Sequence, residues 1–255
     1  MQTLLVERDG HVVTVVLNRP ERKNAISTDM WRELLETFED IERRPDDRVL
    51  VVTGAGGEFC SGADLGSFSP KEGPLNWMRG VGAVAAALHR LHKPSIAKVS
   101  GVAAGAGCNL ALGCDLIVAS DEARFSEIFA RRGLSIDFGG SWLLPRLVGL
   151  HKAKELALLA DIISAEEAAR IGIVNRVVPA GDLDGFVADW AQRLAAGPPI
   201  ALSLTKTMLN NSFSVSFDQA VEDEARAQTA NLGTDDVAEA MEAFTERREP
   251  RFQGR

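Results

Sequence analysis

The chain has 255 residues, 45% hydrophobic and 25% charged, which fits a soluble globular enzyme long enough to bury a sizeable core. Its 36 acidic residues outnumber 28 Lys and Arg, and a net charge of −8 argues against general nucleic-acid binding, though not against a local basic patch. Three cysteines without CxxC spacing, Cys60, Cys108 and Cys114, make neither a disulfide framework nor a zinc site, so reduced thiols in a cytoplasmic protein are expected.

The first residues are charged by residue 7, unlike a signal peptide, and no apolar run reaches membrane-spanning length. TLLVERDGHVVTVVLNRP (3–20) reads as a hairpin turning at Asp9-Gly10. In STDMWRELLETFEDIERR (27–44) the apolar residues Met30, Leu34, Phe38 and Ile41 have helical spacing, with Ser27 or Thr28 as cap. RVLVVTG (48–54) is a buried strand running into the glycine loop GAGGEFCSGADLGSF (54–68). A helix over 75–91 follows, then a second buried strand, SIAKVSG (95–101). VAAGAGCNLALGCD (102–115) is a run of small residues entering a short helix, and LIVAS (116–120) is a third strand. Strands alternating with helices predict α/β architecture. Beyond about residue 150 the pattern is helical, interrupted by one strand, IVNRVV (173–178), and by the break Gly197-Pro198-Pro199.

Each glycine loop follows a Val-rich strand. Glycine backbone lets a ligand approach closely, and a helix start adds free N–H groups, so two such loops can aim two donors at one oxygen, as in an oxyanion hole. Close packing of helix on strand would also explain the small residues. The second loop fails as a dinucleotide fingerprint, because Leu110 stands where the third glycine belongs; Walker A and GxSxG sequences are absent. His89 and His92 share a helix with no acid at metalloprotease spacing, which suits a solvated helix end. Trp31, Trp77, Trp142 and Trp190 read as core or interface residues. In SIDFGG (135–140), Asp137 is a lone carboxylate in an apolar, glycine-hinged segment: a turn residue, or an acid/base in a dry pocket.

LNRPERKNAIS, GEFCSGADL, VSGVAAGAGCNLALGCDLIVAS, LSIDFGGSWLLPRLVG and AARIGIVNRVVP, in that order, resemble the crotonase superfamily, the enoyl-CoA hydratase/isomerase family. The likeness runs from about residue 3 to the C-terminus, and around DFGGSWLLPRLVGLHKAKELALLA it is most similar to ring-epoxide isomerases of phenylacetyl-CoA breakdown and to enoyl-CoA isomerases. The resemblance implies an α/β crotonase fold, a spiral of ββα units over 1–195, with a helical trimerisation region over 196–255. It implies homotrimers, often doubled to hexamers, and an acyl-CoA thioester as substrate with no prosthetic group and no metal. The oxyanion-hole positions fall on Ala63 and Ala106, and Ala25, Ser61, Asp64, Leu65 and Gly105 match positions along the CoA and acyl path. Phe244 and Arg247 match residues that in some members reach a neighbouring subunit's CoA.

Two positions depart from the hydratase pattern. The family's hydratases use two glutamates to hold and split water; here those positions are Asn109 and Phe129, neither of which can act as a base. Glu127 lies two residues before Phe129 and on a helix would point elsewhere. Asp137 matches a third acidic position, where several isomerases of the superfamily keep their acid/base. Desolvation would raise its pKa, with Phe129 and Phe138 excluding water. Double-bond or ring-epoxide isomerisation through a thioester enolate is therefore expected. Hydration of 2-enoyl-CoA, dehalogenase-like nucleophilic attack by Asp137 with His89 nearby, and non-catalytic acyl-CoA binding are the rivals; RNA binding is disfavoured by the charge.

Overall fold

A computed structural model describes residues 3–67 and 73–255; Phe68, the last residue of the first glycine loop, lies outside them. The hairpin pairs β1 (Leu4–Asp9) with β2 (Val12–Leu17), but its two-residue turn is Gly10–His11, one position later than Asp9-Gly10 suggests. Asp9 is still in the ladder, opposite Val12. Gly10 takes φ +57 at the first turn position, where a type II′ hairpin wants glycine. Helix α1 (Thr28–Arg43) is capped by Ser27, whose Oγ accepts the Met30 N–H at 3.3 Å.

The chain continues through β3 (Val49–Gly54), α2 (Pro74–Arg90), β4 (Ser95–Val99), β5 (Val102–Ala104), α3 (Ala106–Leu112), β6 (Leu116–Ser120) and β7 (Arg124–Ser126). Then come α4 (Gly140–Val148), α5 (Leu150–Leu159), β8 (Ile163–Ser164), α6 (Ala165–Arg170) and β9 (Arg176–Val178). Helices α7 (Leu183–Ala195), α8 (Pro199–Asn211), α9 (Phe217–Leu232) and α10 (Asp235–Glu246) complete it. The main sheet has the order β1-β2-β3-β4-β6-β9, parallel except for the β1 hairpin.

The period of two along the strands sorts this sheet's side chains into two cores. Val13, Val15, Leu17, Leu50, Val52, Ala97 and Val99 pack with α1, α2 and α3; Val12, Val49, Val51, Ile96 and Val118 pack with Leu183, Val187 and Ala191 of α7. Helices on both faces explain why β3, β4 and β6 read as nearly unbroken apolar runs. A second sheet, β5-β7-β8, lies beside the first and carries part of the site. Its strands of two or three residues are too short to show a period, so the sequence does not predict them.

The C-terminal helices differ from the rest. Helix α8 fully buries no residue, α9 buries Ala227, and α10 buries Asp236 and Ala243. Large apolar side chains on and between them stay exposed, among them Leu209, Phe213, Phe217, Leu232, Met241 and Phe244. Among the described residues no helix is long and apolar enough to cross a membrane.

Candidate active site

The first glycine loop is held by the turn that precedes α1. Asn24 is fully buried in the left-handed region, which Asn tolerates better than most residues. Its Nδ2 donates to the carbonyls of Ala55 and Glu58, and its Oδ1 accepts the Arg19 N–H at 2.9 Å. From there the loop runs alongside the start of the second one. Phe59 N–H donates to Ser100 O, Cys60 N–H to Val102 O, and Ala104 N–H returns a bond to Cys60 O at 2.9 Å.

This zipper sets two donors free. Ile26 accepts the Asp64 N–H and donates to Gly62 O, so the Ala63 N–H between them faces away from that pairing. Gly105, at φ 54 and ψ −127, makes a turn that requires glycine and starts α3 at Ala106. The first N–H groups of a helix have no intrahelical acceptor. Among the described residues neither the Ala63 nor the Ala106 N–H has one. The loops touch here: a Cβ on Gly62 would lie 2.9 Å from Ala104 O and 3.8 Å from Ala106 N.

Behind these donors sits a polar cluster. Asn109, one turn into α3, is 0% exposed. Its Nδ2 donates to Glu127 Oε2 at 3.3 Å and to the Asp137 carbonyl at 3.0 Å. That carbonyl also accepts the Gly140 N–H at 2.9 Å. Two consecutive left-handed residues, Phe138 at φ 49 and Gly139 at φ 78, bend the chain after Asp137. The strain at Phe138 is held by its burial against Trp31, ring centroids 5.4 Å apart. Phe129 is buried next to Gly105. Burial raises the Asp137 carboxyl from 3.8 to about 6, in the direction a desolvated acid/base requires.

Glu127 corrects the sequence reading in two ways. It does not point elsewhere, because it sits not on an α-helix but between β7 and the 3-10 turn Ile128–Arg132, and it is buried against Asn109. Asp137 is accordingly not a lone carboxylate. Burial raises Glu127 from 4.5 to about 7; the Asp137 charge adds to this, and hydrogen bonds from Cys108 and Asn109 oppose it. The signal available in the sequence was an acid in RFSEIF, where apolar neighbours leave a carboxylate little access to water.

The remaining expected positions fall into two groups. Ala25, Ser61, Asp64 and Leu65 gather around the turn at 19–25. Arg19 donates to Ala25 O and pairs with Asp64 at 2.8 Å; Ser61 N–H and Oγ donate to Lys23 O and Arg22 O; Leu65 is exposed beside them. Phe244 and Arg247 are not brought to this cluster by any hydrogen bond or ion pair among the described residues. Phe244 is 85% exposed on α10, and Arg247 ends that helix in the left-handed conformation. His92 is exposed and bonded to Glu42, as a solvated helix end would be, whereas His89 is half-buried edge-on against Trp142 at 5.1 Å.

Residues 7–255 match the family model described as Enoyl-CoA hydratase/isomerase. The chain is 36% identical over 261 residues to a 1,2-epoxyphenylacetyl-CoA isomerase of Escherichia coli (strain K12), with 100% of both chains covered. It is 35% identical over 252 residues to a short-chain-enoyl-CoA hydratase of Clostridium acetobutylicum, covering 97% of this chain and 96% of that one. The crystal structure of an enoyl-CoA hydratase from Bacillus anthracis superposes with a TM-score of 0.94 at 31% identity, covering 100% of each chain.

Proposed function

The chain belongs to the enoyl-CoA hydratase/isomerase family and has its crotonase fold, and from that premise we propose that it isomerises an acyl-CoA, with Asp137 as the acid/base. What carries this reading is the pair of residues, Asn109 and Phe129, at the positions that the resemblance assigns to the family's two glutamates. Asn109 and Phe129 are buried there and neither can move a proton, while Asp137 is a desolvated carboxyl only partly covered by protein.

In this mechanism the thioester oxygen lies between the Ala63 and Ala106 N–H groups. Asp137 takes a proton from C2 of a 3-enoyl thioester: the C2–H bond breaks, an O–H bond forms, and the electron pair passes to the thioester oxygen as a dienolate. The two N–H groups stabilise that oxyanion, each worth about 3 kcal/mol. The protonated Asp137 then gives its proton to C4, the C2=C3 bond forms, and the carboxylate is restored. A phenylacetyl-type thioester carrying a ring epoxide is the variant substrate, with the same proton abstraction at C2 and the same stabilisation of the thioester oxyanion. No prosthetic group or metal is required. Arg22 and Lys23, adjoining Ala25, supply the local cations that CoA phosphates need on an acidic chain.

A second reading, hydration of 2-enoyl-CoA, is favoured by two observations: Glu127 gives the site a second carboxyl, and relatives bear both names. Against it, Glu127 is only 3% exposed, so it is poorly placed to grip a substrate water. The test is product analysis with a 3-enoyl-CoA, a 2-enoyl-CoA and a phenylacetyl-CoA ring epoxide. Isomerised products, with hydration slower by about tenfold or more, are expected; dominant hydration of the 2-enoyl thioester would reverse the assignment.

The exposed apolar layer on α8–α10 supports self-association, since a monomer seldom leaves so many large side chains uncovered, and the resemblance makes the assembly a trimer or a dimer of trimers. Light scattering is expected to give a multiple of three times 27.4 kDa. A Phe217→Asp/Met241→Asp variant should shift that mass downward with the sheet's circular dichroism retained; an unchanged mass would place the interface elsewhere.

A further inference from the structure

Glu127 has no part in the mechanism above, yet it is the most deeply buried acid of the site. Its Oε2 and the Asp137 carbonyl accept from the same Asn109 amide, at 3.3 and 3.0 Å. Glu127 Oε1, Asp137 Oδ1 and Asn109 Oδ1 are all buried with no hydrogen-bond partner among the described residues. Asn109 packs closely on Gly140, where an added Cβ would lie 2.3 Å from its Oδ1. The interior around this amide therefore has an excess of acceptors and too few donors. Buried acceptors left unpaired are costly, and the Asp137 charge adds to the burial that disfavours ionisation of Glu127. One proton on one carboxyl adds a donor and removes one of the two charges.

We propose that Glu127 is a positioning residue that holds this proton, so that Asp137, its neighbour across Asn109, is the carboxylate left ionised to act as the base. The inference rests on the Asp137 reading above. With Glu127 neutral, the site carries one negative charge before proton abstraction, and that charge passes to the enolate. Once Glu127 ionises, the enolate would form beside a second, buried negative charge, and turnover falls. Burial orders the two acids in the required sense: Glu127 is 3% exposed and Asp137 only half-buried, so the charged form of Glu127 loses more hydration and Asp137 ionises first. Of the groups facing Glu127, α3 supplies the Cys108 thiol as a donor, pushed well above its ordinary range, and the neutral Asn109 amide. Of the charges on neighbouring elements, Arg131 of the 3-10 turn pairs with Asp161, Lys152 with Glu155 on α5, and Arg170 with Glu167 on α6, while Arg132 of that turn and Lys154 of α5 are exposed. Arg124 of β7 is exposed.

The test is the pH dependence of kcat/KM on whichever acyl-CoA the wild type turns over. A bell is expected, rising through about pH 6 and falling through about pH 7. Glu127→Gln keeps the shape and cannot ionise. It should be slower than wild type at pH 6 but lose the descending limb, so that the ratio of variant to wild type rises by about tenfold or more between pH 6 and 8.5. A purely structural Glu127 would lower the rate by one factor at every pH, and an unchanged descending limb overturns the proposal. Should the variant not fold, wild type labelled with ¹³C at glutamate carboxyls settles the matter: one resonance must titrate near neutrality, and ordinary titration of all of them overturns it. Asp137→Asn separates this inference from its premise. Full turnover by that variant refutes the Asp137 mechanism; an inactive Asp137→Asn with an unaltered Glu127→Gln profile refutes only the role of Glu127.

Discussion

Asp137→Asn is expected to lose isomerase turnover by about 10²–10⁴-fold, the usual range for a positioned general base. The amide has nearly the same shape and leaves the backbone carbonyl, with its bonds from Asn109 and Gly140, in place. The loss should therefore fall on kcat, while affinity for a saturated acyl-CoA changes by about threefold or less. The same substitution is expected to stabilise the protein. The carboxyl binds its proton more tightly in the folded chain, at about 6, than at its ordinary 3.8. Native protein thus holds more protons than unfolded chain between about pH 4 and 6, and wild-type stability falls as pH rises through that window. Above it the cost is constant, of order 2–3 kcal/mol at most. An asparagine never meets that cost. Melting temperatures of variant and wild type should coincide near pH 4 and diverge by roughly 4–10 °C in the variant's favour at pH 7. An Asn variant that turns over normally would make Asp137 a turn residue, whatever its stability.

The coexistence of lost activity and gained stability would mark a carboxylate kept for chemistry. It also accounts for what could be read from the sequence here. The Val-rich strands and the amphipathic α1 were legible because burial on a sheet or helix imposes a period on many residues at once. Ser27 was legible because a cap is a local bond, and it forms. The second sheet was not, because β5, β7 and β8 owe their conformation to one another across the fold rather than to their own composition. That failure carried Glu127 with it. Read as helical, it turns away from the site; at the end of β7 it turns inward against Asn109. The glycine loops gave their chemistry in outline. The pairing that frees the Ala63 and Ala106 N–H groups, however, joins segments some forty residues apart, a contact no local rule foresees. Phe244 and Arg247 were read from resemblance alone, and within one chain no hydrogen bond or ion pair among the described residues ties them to the cluster.

Gly107→Ala is expected to cut kcat/KM by about 10²-fold or more without touching an acidic or basic group. In an isolated helix this change would help, since alanine is favoured over glycine by about 1 kcal/mol. Packing decides otherwise. Gly107 is where α3 rests on the first glycine loop, and a Cβ there would lie 2.4 Å from Cys60 O and 2.7 Å from Cys60 Sγ, whereas ordinary contact begins at 3.4 Å. The Cys60 carbonyl cannot yield freely, because it accepts the Ala104 N–H in the zipper between the loops. Helix and loop must therefore separate by about 1 Å, and a misplacement of that size is enough to cost about a hundredfold in rate. The two donors lie on opposite sides of this contact, Ala106 on the helix and Ala63 on the loop, so they move apart and cannot both reach one oxyanion. Overpacking should also cost about 1–3 kcal/mol, lowering the melting temperature by roughly 4–10 °C. Gly82→Ala on α2 is the matched control, exposed and with nothing within 4 Å of the added Cβ, and should stabilise slightly at full activity. If Gly107→Ala melts lower yet keeps its turnover, the separation of α3 from the loop does not reach the reacting oxygen, and the donors must be sought elsewhere than Ala63 and Ala106.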